Sequence, residues 1–145
     1  MSCNKIQAAT ITPTLAAGSV ASPYNYEVNI TQRLCHSVCV DNTPVFNPVF
    51  SLVGLAQVGT DLYVATIHVE GTISYVACGG GCDCCKLQPL SQNFTILIQS
   101  AGGVPTVAIA QGAPVNTMAA VGCQKCSRMF VSETPLTVTV TAPAA

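Results

Sequence analysis

The feature of this sequence that most restricts its fold is the alternation of apolar and polar residues along its longer segments. In the segment 24–34, Tyr24, Val28 and Ile30 belong to an apolar set at every second position, and Gln32 interrupts that set. A period of two residues predicts a β-strand with one buried face, whereas an amphipathic helix needs a period near 3.6. Because no segment sustains the helical period, the chain is predicted to be all-β.

Turn-forming residues separate the other predicted strands, which cover residues 50–57, 62–77, 93–99, 104–110, 128–132 and 136–141. The turn residues 58–61 predict a hairpin between two of them. Gly71 is interpreted as a bulge or bend, and residues 118–120 as a strand or one helical turn. About seven to nine short strands with regular turns predict a single-domain β-sandwich or jelly roll.

The domain organisation follows from where the alternation begins. Residues 1–22 are rich in small residues and are predicted to form an extended N-terminal arm with Cys3 near its tip. Within the arm, Pro13 is expected to end a short strand that starts at Ile6. Residues 23–145 are predicted to form the β-sandwich domain, since 145 residues suffice for one core.

The chain carries few charges. Charged residues make up 8% of it, against about 25% in a typical soluble domain, and there are none from Leu87 to Gln124. Surface charge normally keeps a monomer soluble. We therefore expect much of the surface to be covered by further copies of the same chain, the alternative being a surface of uncharged polar residues.

Charge and hydropathy also argue against several partners. The net charge is −1 with no basic run, whereas nucleic-acid binding needs a cationic surface. No apolar run approaches the roughly 18–20 residues of a membrane span. Polar residues interrupt the N-terminal segment, so no standard signal peptide is recognised. No nucleic-acid partner and no membrane insertion are expected.

Nine cysteines are present, four of them in the eight residues from Cys78 to Cys85. Because nine is odd, full oxidation requires at least one bond outside the chain. A bond between the adjacent Cys84 and Cys85 would strain their peptide link, so each is expected to have a different partner. The candidates for intersubunit disulfides are Cys3, Cys84 and Cys85. The other disulfide candidates are Cys35, Cys39, Cys78, Cys82, Cys123 and Cys126.

A metal site is the alternative use of these thiols. The C-x-x-C spacings of Cys82 with Cys85 and of Cys123 with Cys126 are those of two zinc half-sites. That site leaves the other five cysteines unexplained, so the principal interpretation includes no metal and no cofactor. His36 and His68 are further candidate ligands, although a lone histidine on a strand usually has a structural role.

No enzymatic activity is predicted. The chain has two histidines, six scattered acidic residues and no G-x-S-x-G motif, and the sequence alone suggests no triad or carboxylate pair. A redox role for Cys123 and Cys126 is disfavoured, because such a motif normally opens a helix in an α/β fold.

In its cysteine-bearing arm, its Val/Thr-rich β domain with few charges and its clustered cysteines, the chain resembles the disulfide-linked subunits of bacterial endospore appendages and related spore-coat proteins. The resemblance implies jelly-roll domains that stack into a fibre, with arm cysteines bonded to preceding subunits. It implies that Cys3 is the arm cysteine. The acceptor would be Cys82, Cys84 or Cys85, or the pair Cys123 and Cys126.

These observations predict a structural, self-assembling subunit of a filament that is cross-linked by intersubunit disulfides. Such a high cysteine content is unusual in a reducing cytosol, so the expected location is a cell or spore surface, or another extracellular site, reached without a standard signal peptide. The alternatives are a cysteine-rich zinc-binding module and, third, a phage or capsid-like jelly-roll subunit.

Overall fold

The computed structural model describes residues 8–19, 21–39, 42–77, 85–119 and 126–143, and the side chains of Cys39, Cys85 and Cys126 are not described. These residues form eight strands in two antiparallel sheets and contain no helix. The strands are β1 Thr10–Leu15, β2 Tyr24–Cys39, β3 Val49–Gly59, β4 Leu62–Val76, β5 Cys85–Gln99, β6 Thr106–Gln111, β7 Val115–Met118 and β8 Cys126–Thr141. The prediction of an all-β sandwich is confirmed.

The strand orders define a large sheet and a small sheet. The large sheet has the order β1-β2-β8-β6, with β7 also pairing with β8, and the small sheet has the order β3-β4-β5. The hairpin predicted at residues 58–61 is confirmed as the connection of β3 and β4, with Asp61 in a left-handed conformation at φ 57°. These orders do not establish the jelly-roll connectivity that was predicted beside the sandwich.

The core lies between the inner faces of the two sheets. On β4, Tyr63, Ile67 and Val69 alternate inward and are buried. Phe46, which precedes β3, meets Phe130 of β8 edge to face, with ring centroids 5.8 Å apart and an interplanar angle of 88°. This geometry is favourable for aromatic pairs, and the contact joins the two sheets.

Gln32 continues the inward set of β2 rather than breaking it. Its side chain is 2% exposed, on the same face as Ile30 and Leu34, and its Nε2 donates a hydrogen bond to the carbonyl of Arg33 at 3.0 Å. Buried amides require such partners. Gln32 therefore differs from the other inward-facing residues in polarity, but it does not interrupt the strand.

Side-chain amides join the edges of the two sheets. Gln92 of β5 accepts a hydrogen bond from the Ala9 N–H at 3.0 Å and donates to the Ala9 carbonyl at 2.6 Å. Gln111 of β6 accepts from the Phe50 N–H at 2.9 Å and donates to the Pro48 carbonyl at 2.6 Å. Each amide thus satisfies a backbone donor and a backbone acceptor, as a neighbouring strand would.

Part of the predicted N-terminal arm is an integral strand. β1 pairs with β2 along its whole length, and Pro13 lies opposite Val28 within it. The expectation that Pro13 ends a strand is wrong, because β1 is an edge strand, and proline is tolerated where one side of a strand has no partner. Residues 10–15 therefore belong to the large sheet.

Two other prolines also lie inside strands. β5 begins at Cys85, well before the predicted start at Asn93, and includes Pro89 on an edge of the small sheet. β8 is one strand through Pro135 rather than the two predicted. The carbonyl of Pro135 accepts from the Gly112 N–H at 2.8 Å in the gap between β6 and β7. Neither β6 nor β7 pairs with β8 at this position, so the missing N–H of Pro135 costs the sheet no hydrogen bond there.

Two local interpretations are corrected. Met118 ends strand β7, so the alternative of a helical turn at residues 118–120 is wrong for its described part. At Gly71 the pairing of β4 with β5 continues without a bulge. The reason for glycine there is steric, because an added Cβ would lie 2.7 Å from Cε1 of Phe46 and 3.2 Å from the carbonyl oxygen of Asn47.

Replacing Gly71 with Ala is expected to destabilise the fold by about 2 kcal/mol, because the new methyl group overlaps the buried Phe46 ring. Chemical denaturation measures the change. Gly54→Ala is the matched control on β3, since its Cβ would meet only Thr66 at 3.8 Å. Equal stability of the two variants would contradict the steric explanation.

Candidate functional site

Cysteine positions lie on strand ends that meet at one end of the sandwich. β2 ends at Cys39, which lies opposite Cys126, the first residue of β8. β5 begins at Cys85, which lies opposite Val76, the last residue of β4. We call this region, where β2 and β4 end and β5 and β8 begin, the cysteine end.

A backbone bridge joins the two sheets at the cysteine end. Val38 pairs with Ser127 within the large sheet and also forms an antiparallel bridge to Ala77, the residue that follows β4. The end of β2 therefore lies between β8 and the chain that leaves β4. The β3–β4 hairpin lies at the opposite end of the sandwich, because β4 begins there.

The remaining candidates lie outside the described residues, namely Cys3, Cys78, Cys82, Cys84 and Cys123. In the sequence, Cys78, Cys82 and Cys84 lie between β4 and β5, and Cys123 lies between β7 and β8. Cys78 follows Ala77 directly, and Cys82 and Cys123 each precede a strand by three positions.

Of the four predicted zinc ligands, two are among the described residues and two are not. Cys85 and Cys126 begin strands at the cysteine end, whereas Cys82 and Cys123 lie outside the described residues. Within the described ranges, no group of three or more potential ligands is suited to a metal ion. The zinc site therefore stays a prediction.

Cys35 lies in the irregular part of β2, where the register with β8 shifts between Arg33 and Val38. It is disulfide-bonded, and the other sulfur of that bond is not among the described side chains. Its N–H donates to Oε1 of Gln88 at 2.9 Å, and Nε2 of Gln88 donates to the Arg33 carbonyl at 3.1 Å. Gln88 of the small sheet thus holds this part of the large sheet.

His36 and Tyr75 form a polar contact beside Cys35. Nδ1 of His36 lies 3.2 Å from the Tyr75 hydroxyl, and the ring centroids are 6.4 Å apart. Burial raises the pKa of Tyr75, and the bond to His36 and the charge of Arg128 lower it by less. Because the folded state favours the neutral phenol, its contribution to stability is lost as the pH rises above the ordinary tyrosine pKa of 10.0.

Sequence reasoning missed the role of Gln88. This side chain is 2% exposed and lies in phase with Leu90 and Phe94, which also face inward on β5. Extending the alternation back from Phe94 would have placed Gln88 on the buried face. Because the predicted strand began after Pro89, Gln88 was not included in it and its inward position was missed.

Comparison with protein-family models, with curated proteins and with solved structures finds no match to this chain. The resemblance to endospore appendage subunits therefore stays a prediction. None of the described residues belongs to a helix long and apolar enough to cross a membrane.

Proposed function

We propose that this protein is a structural subunit that self-assembles into a filament at a cell or spore surface, or elsewhere outside the cell, and is locked by disulfides between subunits. The observation that carries the proposal is the convergence of cysteine-bearing strand ends, including Cys39, Cys85 and Cys126, at one end of the sandwich. Cysteine positions at one end of a domain suit disulfide cross-linking to a neighbour that docks there.

The odd number of cysteines limits how they can be used. In a fully oxidised assembly, each subunit must bond outward through an odd number of its nine cysteines. One outward bond allows only dimers, so a longer polymer needs at least three. Cys3, Cys84 and Cys85 fit this number, and the other six then pair within the chain.

The direction of β1 is consistent with a role for Cys3 near the cysteine end. β1 begins at Thr10 opposite Thr31 and runs away from that end. Cys3 lies seven positions before Thr10, a reach of about 24 Å when the chain is extended. The eight residue steps of β2 from Thr31 to Cys39 rise about 26 Å. An extended arm would therefore span most of the distance from Thr10 to the cysteine end of its own or an adjacent subunit.

The apolar surface favours burial by further copies of the chain. Scattered exposed apolar residues are normal on monomers, but here they accompany a charged fraction of only 8%. The exposed large apolar side chains among the described residues include Leu15, Val45, Val49, Val53, Val58, Val76, Leu87, Leu97, Val104 and Val115. A surface with this composition is suited to contact between subunits.

Isotope mixing tests whether the disulfides join different subunits. Reduced ¹⁵N-labelled and unlabelled protein are mixed, allowed to assemble and oxidised, then digested with trypsin without reduction. Cys3 lies in the peptide 1–5, and six cysteines lie in 34–86. We expect disulfide-linked pairs of the peptides 1–5 and 34–86. Pairs that combine one labelled and one unlabelled peptide should be as abundant as pairs whose two peptides carry the same label. Matched labels alone would show that Cys3 bonds within its own chain and contradict the proposal.

Two controls separate the alternatives. Mixing the labelled and unlabelled protein after oxidation should yield no mixed peptides, which excludes disulfide exchange during digestion. Stoichiometric zinc in anaerobically purified protein, with nine free thiols after its removal, would favour the zinc-binding module. Electron microscopy distinguishes a filament from a capsid-like shell.

A further inference from the structure

Three polar side chains form a hydrogen-bonded series across β4 and β5, on the outer face of the small sheet. Nδ1 of His68 lies 2.6 Å from Oδ1 of Asn93, its direct cross-strand partner. Nε2 of His68 lies 3.1 Å from Oγ of Ser91. His68 stands between the inward-facing Ile67 and Val69, so its ring is on the solvent side of the sheet.

The hydrogen bonds determine which nitrogen of His68 carries the proton. Oδ1 of Asn93 can only accept, so Nδ1 of the neutral ring is the donor to it. The lone pair of Nε2 is then directed at Ser91, whose hydroxyl donates to it. A hydroxyl, a base and a group that orients the base are the components of an activated serine nucleophile.

The surroundings leave Ser91 open to a reagent. Ser91 is exposed, and the His68 side chain retains 26% exposure. Oε2 of Glu70 lies 3.7 Å from Nε2 of His68.

We propose that Ser91 is an acylation site for activated carboxylic esters, with His68 as general base and Asn93 as the positioning residue. Oγ of Ser91 attacks the ester carbonyl carbon, forming a new C–O bond while the bond to the leaving alkoxide or aryloxide breaks. The hydroxyl proton moves to Nε2 of His68 and then to the leaving oxygen. The product is an O-acyl serine on the outer face, and the proposal is independent of disulfide assembly.

The test uses p-nitrophenyl acetate with the full chain near neutral pH, followed by peptide mass mapping over time. Ser51 is an internal control, because it is exposed and is the Cα partner of His68 on β3. Trypsin places Ser51 in the peptide 34–86 and Ser91 in 87–125. We expect Ser91 to acquire acetyl at least about tenfold faster than Ser51. Equal rates would overturn the proposal.

Variants identify the roles of the two partners. His68→Gln is expected to slow acetylation of Ser91 by about tenfold or more, since general-base assistance is lost. Asn93→Ala should also slow it, whereas Asn93→Asp keeps an acceptor for Nδ1 and should restore the rate. Ser51→Ala should leave it unchanged. A rate at Ser91 that is insensitive to His68→Gln would contradict the assignment of the base.

Discussion

Replacing Cys3 with Ser is expected to leave the β-sandwich folded but to remove the resistance of the assembly to heat and denaturant under non-reducing conditions. Cys3 precedes the first described strand, which begins at Thr10, so the substitution changes no residue of the described strands. Without Cys3, the cysteine of the neighbouring subunit that it would bond, Cys84 or Cys85, loses its partner on the arm. The multimer fraction that survives denaturant, measured by sedimentation or light scattering, should fall to the level of reduced wild type.

Ser2→Ala is the matched control, because it changes the neighbouring residue without removing a thiol. It should retain the resistance of the wild type. Circular dichroism of both variants verifies that the sandwich is intact. If Cys3→Ser retained full resistance while remaining free of reductant, Cys3 would not be a cross-link.

Replacing Gln88 with Ala is expected to destabilise the domain by about 3 kcal/mol. The side chain is almost fully buried, and it pairs with the N–H of Cys35 and the carbonyl of Arg33. Removing it deprives the partly buried N–H of Cys35 of its partner, which costs about 1–3 kcal/mol, and also leaves a cavity. Chemical denaturation of the oxidised protein measures the change.

Gln99→Ala is the control on the same strand, because Gln99 is exposed at the end of β5. A surface substitution of this kind should alter the stability by less than about 0.5 kcal/mol. If Gln88→Ala changed the free energy of unfolding as little as Gln99→Ala, the amide would not hold the irregular part of β2 against the small sheet.

The all-β class could be predicted because alternation is a local property of the sequence. The strand from Tyr24 and the hairpin at residues 58–61 are encoded by neighbouring residues. The prolines misled the prediction, since Pro13 and Pro89 are compatible with strands only because these lie at sheet edges. Whether a strand is central or at an edge depends on its partners, which one sequence does not specify.

The candidate site likewise depends partly on the local sequence and partly on how the strands pair. The sequence groups the cysteines into pairs and clusters, but their common location depends on the register of Cys39 with Cys126 and on the bridge from Val38 to Ala77. The hydrogen bonds of His68 likewise require the register of β4 with β5. Registers are set by tertiary packing, which explains why no triad was found from the sequence.

The most direct test of the central claim is denaturing gel electrophoresis of fully oxidised protein without reductant. We expect a ladder of multimers that is converted to a single monomer band when a reductant is added. A protein that runs as a clean monomer after complete oxidation would contradict the claim that disulfides join its subunits.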